Sequence, residues 1–242
     1  MGANKDGGIS YLTKAEKNDS YELGLRSTFL DESLIVNTTL FHQDIKDYIS
    51  NLFYFDEVQT AANNDGNNVY VSAIGNVPKV RSQGIELDIS YAIGNTNLRF
   101  SGAYNDARYV DFPNAGKPLE LGGTNIPYYD VSGRRLPGVG PTSFNLFAEH
   151  FWPVQGGNEI FANANYNYTS SYLTDPALSR FSEVDSYGLT NISIGYGASD
   201  EKFQISLLVK NLFDEDYTYQ PLWNIAIPST PRWIGITISG KI

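Results

Sequence analysis

The chain has no cysteine, so neither disulfides nor thiolate metal sites can form. It has two histidines, His42 and His150, on separate expected strands and without the spacing of a helical metal motif. Cations are in short supply: 17 Lys plus Arg against 27 Asp plus Glu give a net charge of −10, which argues against a nucleic-acid partner. No apolar run approaches the roughly 18 residues of a membrane helix, and no segment carries a long apolar stripe of helical period. The opening stretch, MGANKDGGISYLTKAEKNDS, lacks the apolar centre of a signal peptide. There is no GxSxG elbow, and the GVG at Gly138 to Gly140 precedes a strand rather than the helix a nucleotide loop requires.

Aromatic residues and alternation are abundant. Aromatics make up 14% of the chain, with Tyr the commonest at 17, a residue suited to a membrane-interface belt. The tail RWIGITISGKI (Arg232 to Ile242) places Ile234, Ile236, Ile238 and Ile242 on one face and Thr237, Ser239 and Lys241 on the other. Eight earlier stretches show the same period: near Ser20 to Leu30, Leu34 to Phe55, a strand ending in Gly84 to Ala92, Leu98 to Phe112, Thr142 to Trp152, a strand around Ile160 to Asn167, Tyr187 to Tyr196, and Phe203 to Lys210. Nine strands are therefore expected.

The connectors alternate in length. Residues 31–33, 94–96, 153–158 and 198–201 are short; 56–68, 113–140, 170–182 and 214–230 are long. An up-and-down antiparallel meander with all its long loops at one end produces this rhythm, as transmembrane β-barrels do. The non-apolar faces carry Asn, Gln, Ser, Glu, Asp and Lys along their whole length, which a dry core would not tolerate and a wet or plugged lumen would. An odd strand count does not close such a barrel, so a partial barrel is expected. The competing architecture is a soluble β-sandwich with one wet face per sheet.

Five runs in order carry a family resemblance: Tyr21 to Ile49 (YELGLRSTFLDESLIVNTTLFHQDIKDYI), Arg81 to Gly94 (RSQGIELDISYAIG), Ser132 to Leu146 (SGRRLPGVGPTSFNL), Val209 to Tyr217 (VKNLFDEDY) and Pro231 to Ile242 (PRWIGITISGKI). Together they resemble the C-terminal portion of a TonB-dependent outer-membrane receptor. The resemblance implies an all-β protein whose residues 1–242 supply the last nine or so strands of a barrel of about 22. It implies a Gram-negative outer-membrane location and extracellular long loops. Expected partners are a nutrient ligand, the TonB complex, lipopolysaccharide and outer-membrane lipid, and the barrel-assembly machinery reading strand 232–242. The family's usual final aromatic is replaced by Ile242. Its signal peptide, TonB box and plug domain are not found in this sequence, so coupling to TonB is expected to depend on them elsewhere.

The implied function is binding and import of a scarce nutrient, such as a siderophore-iron complex, cobalamin or an oligosaccharide, with no enzymatic step and no cofactor. Alternatives are a passive porin-like or structural barrel, an outer-membrane lipase, or a soluble β-sandwich binder. Ligand contacts are expected on the long loops. The candidates are Tyr54 and Phe55 (after Phe53), Tyr128 and Tyr129 with Arg134 and Arg135, and Trp223 with Asn224. Aromatic faces stack on sugars or flat chelates, and arginine forks onto carboxylate or phosphate. Their plainer reading is girdle aromatics and lipopolysaccharide-facing cations. The acidic trio Asp214, Glu215 and Asp216 lacks calcium-loop spacing and reads as solvated or paired. Asn211 is expected to bond local backbone, Tyr217 to join an interface belt, and Asn163, Asn165 and Asn167 to line the lumen.

Overall fold

A computed structural model describes residues 13–121, 128–198, 202–222 and 225–240. Antiparallel pairing of successive strands dominates it. The nine strands of the main sheet are β1 (Lys17–Phe29), β2 (Leu34–Phe55), β3 (Tyr70–Ile93), β4 (Thr96–Asp111), β5 (Thr142–Val154), β6 (Asn158–Thr169), β9 (Tyr187–Ala198), β10 (Phe203–Lys210) and β13 (Trp233–Gly240). The order in the sheet is the order in the chain, a pure meander. The long loops hold further elements: helix α1 (Glu57–Asn63), and the short ribbons β7–β8 (Tyr172–Leu173 with Glu183–Val184) and β11–β12 (Thr218–Leu222 with Ile225–Pro228). Among the described residues β1 and β13 are the two edges and do not pair with each other.

The expected nine strands are therefore present, with β2 and β10 spanning the expected residues. β3 runs from Tyr70 to Ile93, filling the span between the expected loop at 56–68 and the expected turn at 94–96. The short connectors are tight for backbone reasons. Leu30, Asp31 and Glu32 all take positive φ (55°, 49° and 67°), and the Ser33 hydroxyl donates to the Leu30 carbonyl at 2.6 Å. Gly94, at φ 56°, opens a two-residue hairpin loop where a side chain would be strained. Residues 199–201, in the last short connector, and 241–242, at the end of the tail, lie outside the described residues.

Register aligns the faces into rows. Leu23 opposes Leu40, which opposes Ile85, which opposes Tyr104, and all four are exposed. At the other side of the sheet Ile194, Leu207 and Ile236 form a similar row, with Ile236 and Ile238 each 70% exposed. No second sheet and no helix covers this flank among the described residues. A β-sandwich would hide these side chains; here they form the outside. The opposite face is polar, with Asn145 donating to Asn167 at 2.7 Å and Asn163 to Ser193 at 3.2 Å. Of the asparagines that the alternation set opposite Ile160, Asn163 and Asn167 bond side chains on the neighbouring strands, and Asn167 also donates to Asn165 within β6.

The pattern reverses toward the long loops. Val80 and Val77 stand three apart on β3, an odd separation, yet both are buried in one cluster. Asp47, at φ 54° on the facing strand, sits opposite Pro78 where the period-two alternation breaks. Beyond it Ile49 and Ile74 are exposed, while Leu52 joins the buried cluster. That cluster is the molecule's main core. It draws Leu52, Val77, Val80 and Tyr109 from the strands, Phe112, Ala115 and Val131 from the connector after β4, and Leu178 from the connector after β7.

Candidate functional site

The long connectors do not hang free; they are folded against the loop end of the sheet. Residues 132–136 run beside β4 like an extra strand: Gly133 N–H donates to the Tyr109 carbonyl at 2.7 Å, Tyr109 N–H to Arg134 at 2.9 Å, and Leu136 N–H to Ala107 at 3.0 Å. Ala115 and Tyr129 exchange backbone bonds at 3.1 and 2.8 Å, closing the connector on itself. Val131 is wholly buried beneath it. Helix α1, in the loop between β2 and β3, is capped by Asp56, whose carboxylate accepts from Gln59 N–H at 2.9 Å.

A clasp joins two of the long connectors. The Glu120 carboxylate accepts from the Ser179 hydroxyl at 2.9 Å and from Arg180 N–H at 2.8 Å, across about 60 residues of chain. Burial pushes the Glu120 carboxyl up, but the bonds from Arg180, Ser179 and its own backbone outweigh that and leave it below its ordinary value. Asp130 is likewise lowered by the Ser132 hydroxyl and N–H that it accepts from.

Around this scaffold the expected ligand residues separate into two groups. The aromatics lie at the loop end of the sheet. Tyr54 and Tyr129 pack on the buried cluster, Phe55 meets Tyr70 with ring centroids 6.0 Å apart, and Tyr128 is half-exposed beside Tyr129 in the connector after β4. Lys117 Nζ stands 6.0 Å over the Tyr70 ring. Tyr54 lies across Gly75, where any Cβ would collide with its hydroxyl. The arginines go elsewhere. Arg135 pairs with Arg108 as a bridge and reaches Asp106 at 3.4 Å, on the flank that continues the exposed apolar rows. Arg134 and Arg135 line a cleft of about 280 Å³ with Arg108, Val139, Tyr172 and Glu183. Trp223 and Asn224 lie outside the described residues.

Sequence reading missed Tyr70 and Lys117. Tyr70 was accessible in principle, since it stands opposite Phe55 in register. Lys117 and the Glu120 clasp depend on long-range contacts that no local pattern announces.

The remaining candidates have structural work. His42 Nδ1 lies 3.1 Å from the Gln83 side chain, and His150 Nδ1 2.7 Å from the Thr96 hydroxyl, its ring edge-on to Trp152. No group of three or more potential metal ligands exists among the described residues. Asn211, at φ 50°, does bond local backbone: its amide donates to the carbonyls of Glu215 (2.9 Å) and Thr230 (3.1 Å) and accepts from Glu215 N–H (2.8 Å). Asp214 accepts from Arg232 N–H at 2.7 Å, pinning the last connector to the start of β13. Tyr217 stacks flat on Tyr187, with centroids 3.8 Å apart.

Comparison with known proteins places this geometry. A family profile described as "TonB dependent receptor-like, beta-barrel" matches residues 3–212. Solved structures share the fold at low identity. The ferric yersiniabactin uptake receptor FyuA from Yersinia pestis is 19% identical with a TM-score of 0.65, over 91% of this chain and 29% of its own. The copper transporter OprC is 19% identical with a TM-score of 0.64, over 94% and 31%. The FrpB iron transporter from Neisseria meningitidis is 17% identical with a TM-score of 0.61, over 95% and 32%. The chain thus spans about three-tenths of the length of each. These relatives are receptors and transporters, not enzymes.

Proposed function

The chain belongs to the TonB-dependent receptor-like β-barrel family, and from that premise we propose that residues 1–242 form the C-terminal wall of a receptor in a Gram-negative outer membrane. It binds a scarce nutrient at its long loops and admits it with energy delivered through TonB. The observation that carries this reading is the pairing of an uncovered apolar flank with a hydrogen-bonded polar face on one meander. Hydrocarbon suits the first face and a wet or plugged lumen the second. Lipopolysaccharide and outer-membrane lipid surround the flank, and the barrel-assembly machinery engages the final strand.

Ligand capture is assigned to the loop-end aromatics Tyr54, Phe55, Tyr128 and Tyr129, with Arg134 and Arg135 at the neighbouring cleft and Trp223 and Asn224 on the last loop. Flat metal chelates stack on such rings, and their carboxylates or catecholate oxygens pair with arginine and lysine. The iron-chelate and copper transport named for the similar structures supports a metal-chelate ligand over cobalamin or an oligosaccharide.

The test is intrinsic fluorescence titration of the detergent-solubilised protein with a ferric catecholate, a ferric hydroxamate, cobalamin and a maltooligosaccharide. Saturable quenching by one chelate, weakened about tenfold by Tyr128→Ala with Arg134→Ala, is expected. Uptake of that chelate by cells making the whole receptor to which this wall belongs should stop when the inner-membrane proton gradient is collapsed. Unsaturable passage that ignores the gradient identifies a passive pore instead.

A further inference from the structure

The hairpin of β2 and β3 outruns its neighbours at the loop end. Pairing with β1 stops at Lys46 and pairing with β4 stops at Lys79, yet residues 48–55 and 70–77 stay paired with each other. This two-stranded arm carries Tyr54, Phe55 and Tyr70, with helix α1 in the loop at its tip. An unsupported two-stranded hairpin is marginally stable in water, so its pose depends on what holds it. Leu52 and Val77 join the buried cluster, and Tyr48 and Tyr54 pack against it. At the root, however, the ladder is interrupted: Asp47 takes φ 54°, and Pro78 has no N–H to give.

Side chains bridge that interruption. Asn76, opposite Ile49 in register, donates its amide to the carbonyls of Asp47 at 2.6 Å and Lys14 at 3.0 Å. Its Oδ1 accepts from Lys14 N–H at 2.7 Å, so three of an asparagine's four bonds are made. The Glu16 carboxylate accepts from Ile49 N–H at 2.6 Å. Lys14 and Glu16 lie in the segment that leads into β1, and both are exposed. Water would satisfy the same backbone groups there, so what these bonds add is a fixed angle between arm and sheet.

We infer that Asn76 and Glu16 are positioning residues that set the pose of the arm, and with it Tyr54, Phe55 and Tyr70, from the chain at residues 14–16, an inference that rests on the loop-capture reading above, in which Tyr54 and Phe55 meet the ligand. Asn76 stands in for a peptide group: it closes a pair of bonds with the Lys14 backbone beyond the last rung between β1 and β2. Glu16 adds a third tie to the arm at Ile49. A shift at residues 14–16 is therefore carried to the rings, and an arm released from them swings about Asp47 and Pro78.

The chain has no cysteine, so nitroxides on Val58→Cys in α1 and Val139→Cys in the connector after β4, both exposed sites, report the distance from arm to connector in the whole detergent-solubilised chain. Asn76→Ala and Asn76→Asp should both broaden that distance distribution; the aspartate keeps the shape and an acceptor for Lys14 N–H but donates nothing. Glu16→Ala should broaden it too, and Glu16→Gln, which keeps an acceptor oxygen for Ile49 N–H, should restore it. In the titration with ferric catecholate and ferric hydroxamate, each broadening variant should weaken the chelate that quenches by roughly fivefold. Asn163→Ala, which removes a side-chain bond elsewhere on the sheet, should change neither readout. An unchanged distribution in Asn76→Asp, an equal change in Asn163→Ala, or a broadened arm with undiminished chelate binding overturns the inference. Should the Asn76 variants lose their fold, the Glu16 pair decides: equal distributions in Glu16→Ala and Glu16→Gln overturn it. If neither chelate quenches the unaltered protein, the capture reading falls, while broadening by Asn76→Asp still upholds the strut.

Discussion

At the turn end of β3, Ile85 and Ile93 face out and are exposed; at the loop end of the same strand, Val77 and Val80 are buried under folded-back connector. On β2 the same change separates Leu40 from Leu52. One continuous ribbon therefore meets two environments. Near the short turns no other element covers its apolar side chains among the described residues, as the proposed lipid contact requires. Around Asp47 and Pro78 the alternation breaks: Ile49 and Ile74 stay exposed, while Leu52, Val77 and Val80 pack under the connectors. The core is built at the end where the candidate ligand residues stand, and it packs the loops against the sheet.

Breaking the loop end should have the largest effect. Val131→Asp sets an unpaired charge in the buried cluster and should cost about 3–5 kcal/mol there. Limited proteolysis should then cut residues 112–141 quickly while the turn-end strands stay protected. The turn end is sharpened by two neighbouring substitutions on β10. Leu207→Arg on the exposed row should destabilise the membrane-embedded protein by about 2–4 kcal/mol, whereas Ser206→Arg on the polar face should cost far less. Urea unfolding in lipid vesicles distinguishes them; equal costs would remove the lipid-facing assignment.

A smaller effect is expected at the clasp. The Glu120 carboxyl is lowered in the folded protein, so its contribution is fully present above its unfolded pKa. It is lost as pH falls through the lowered folded value. Glu120→Gln at neutral pH should mimic that acid state, with amide exchange at Arg180 roughly five- to tenfold faster, the loss of about 1 kcal/mol. Smallest is Gly75→Ala, which displaces the Tyr54 ring. It should leave thermal unfolding nearly unchanged and alter only the chelate titration.

Legibility follows the same division. Where the apolar flank is uncovered, the period-two pattern is unbroken, and Ile85, Leu87 and Ile89 or Phe203, Ile205 and Leu207 identify their strands without help. Where the alternation breaks at Asp47, the pattern is scrambled, so only the end of β3 shows alternation and its start is bounded by the loop at 56–68; it pairs with β2 from Tyr70 on. The long connectors were located by composition, but their folding was not. Leu178 joins Val131, and Glu120 reaches Ser179, through contacts between segments far apart in sequence. Of the candidate site, the sequence placed Tyr54, Phe55, Tyr128 and Tyr129 at the loop end but not their packing, and it grouped Arg135 with them by proximity in sequence, whereas its guanidinium turns toward Asp106.

The two sheet edges impose an order on biogenesis. Along β1, thirteen residues long, peptide groups on the outer side have no ladder partner among the described residues. Water tolerates such an edge and oil does not, at several kcal/mol for each orphaned group. Hairpins of this sheet can therefore zip together at the aqueous surface, but passage into the bilayer has to wait until another strand has docked along that margin.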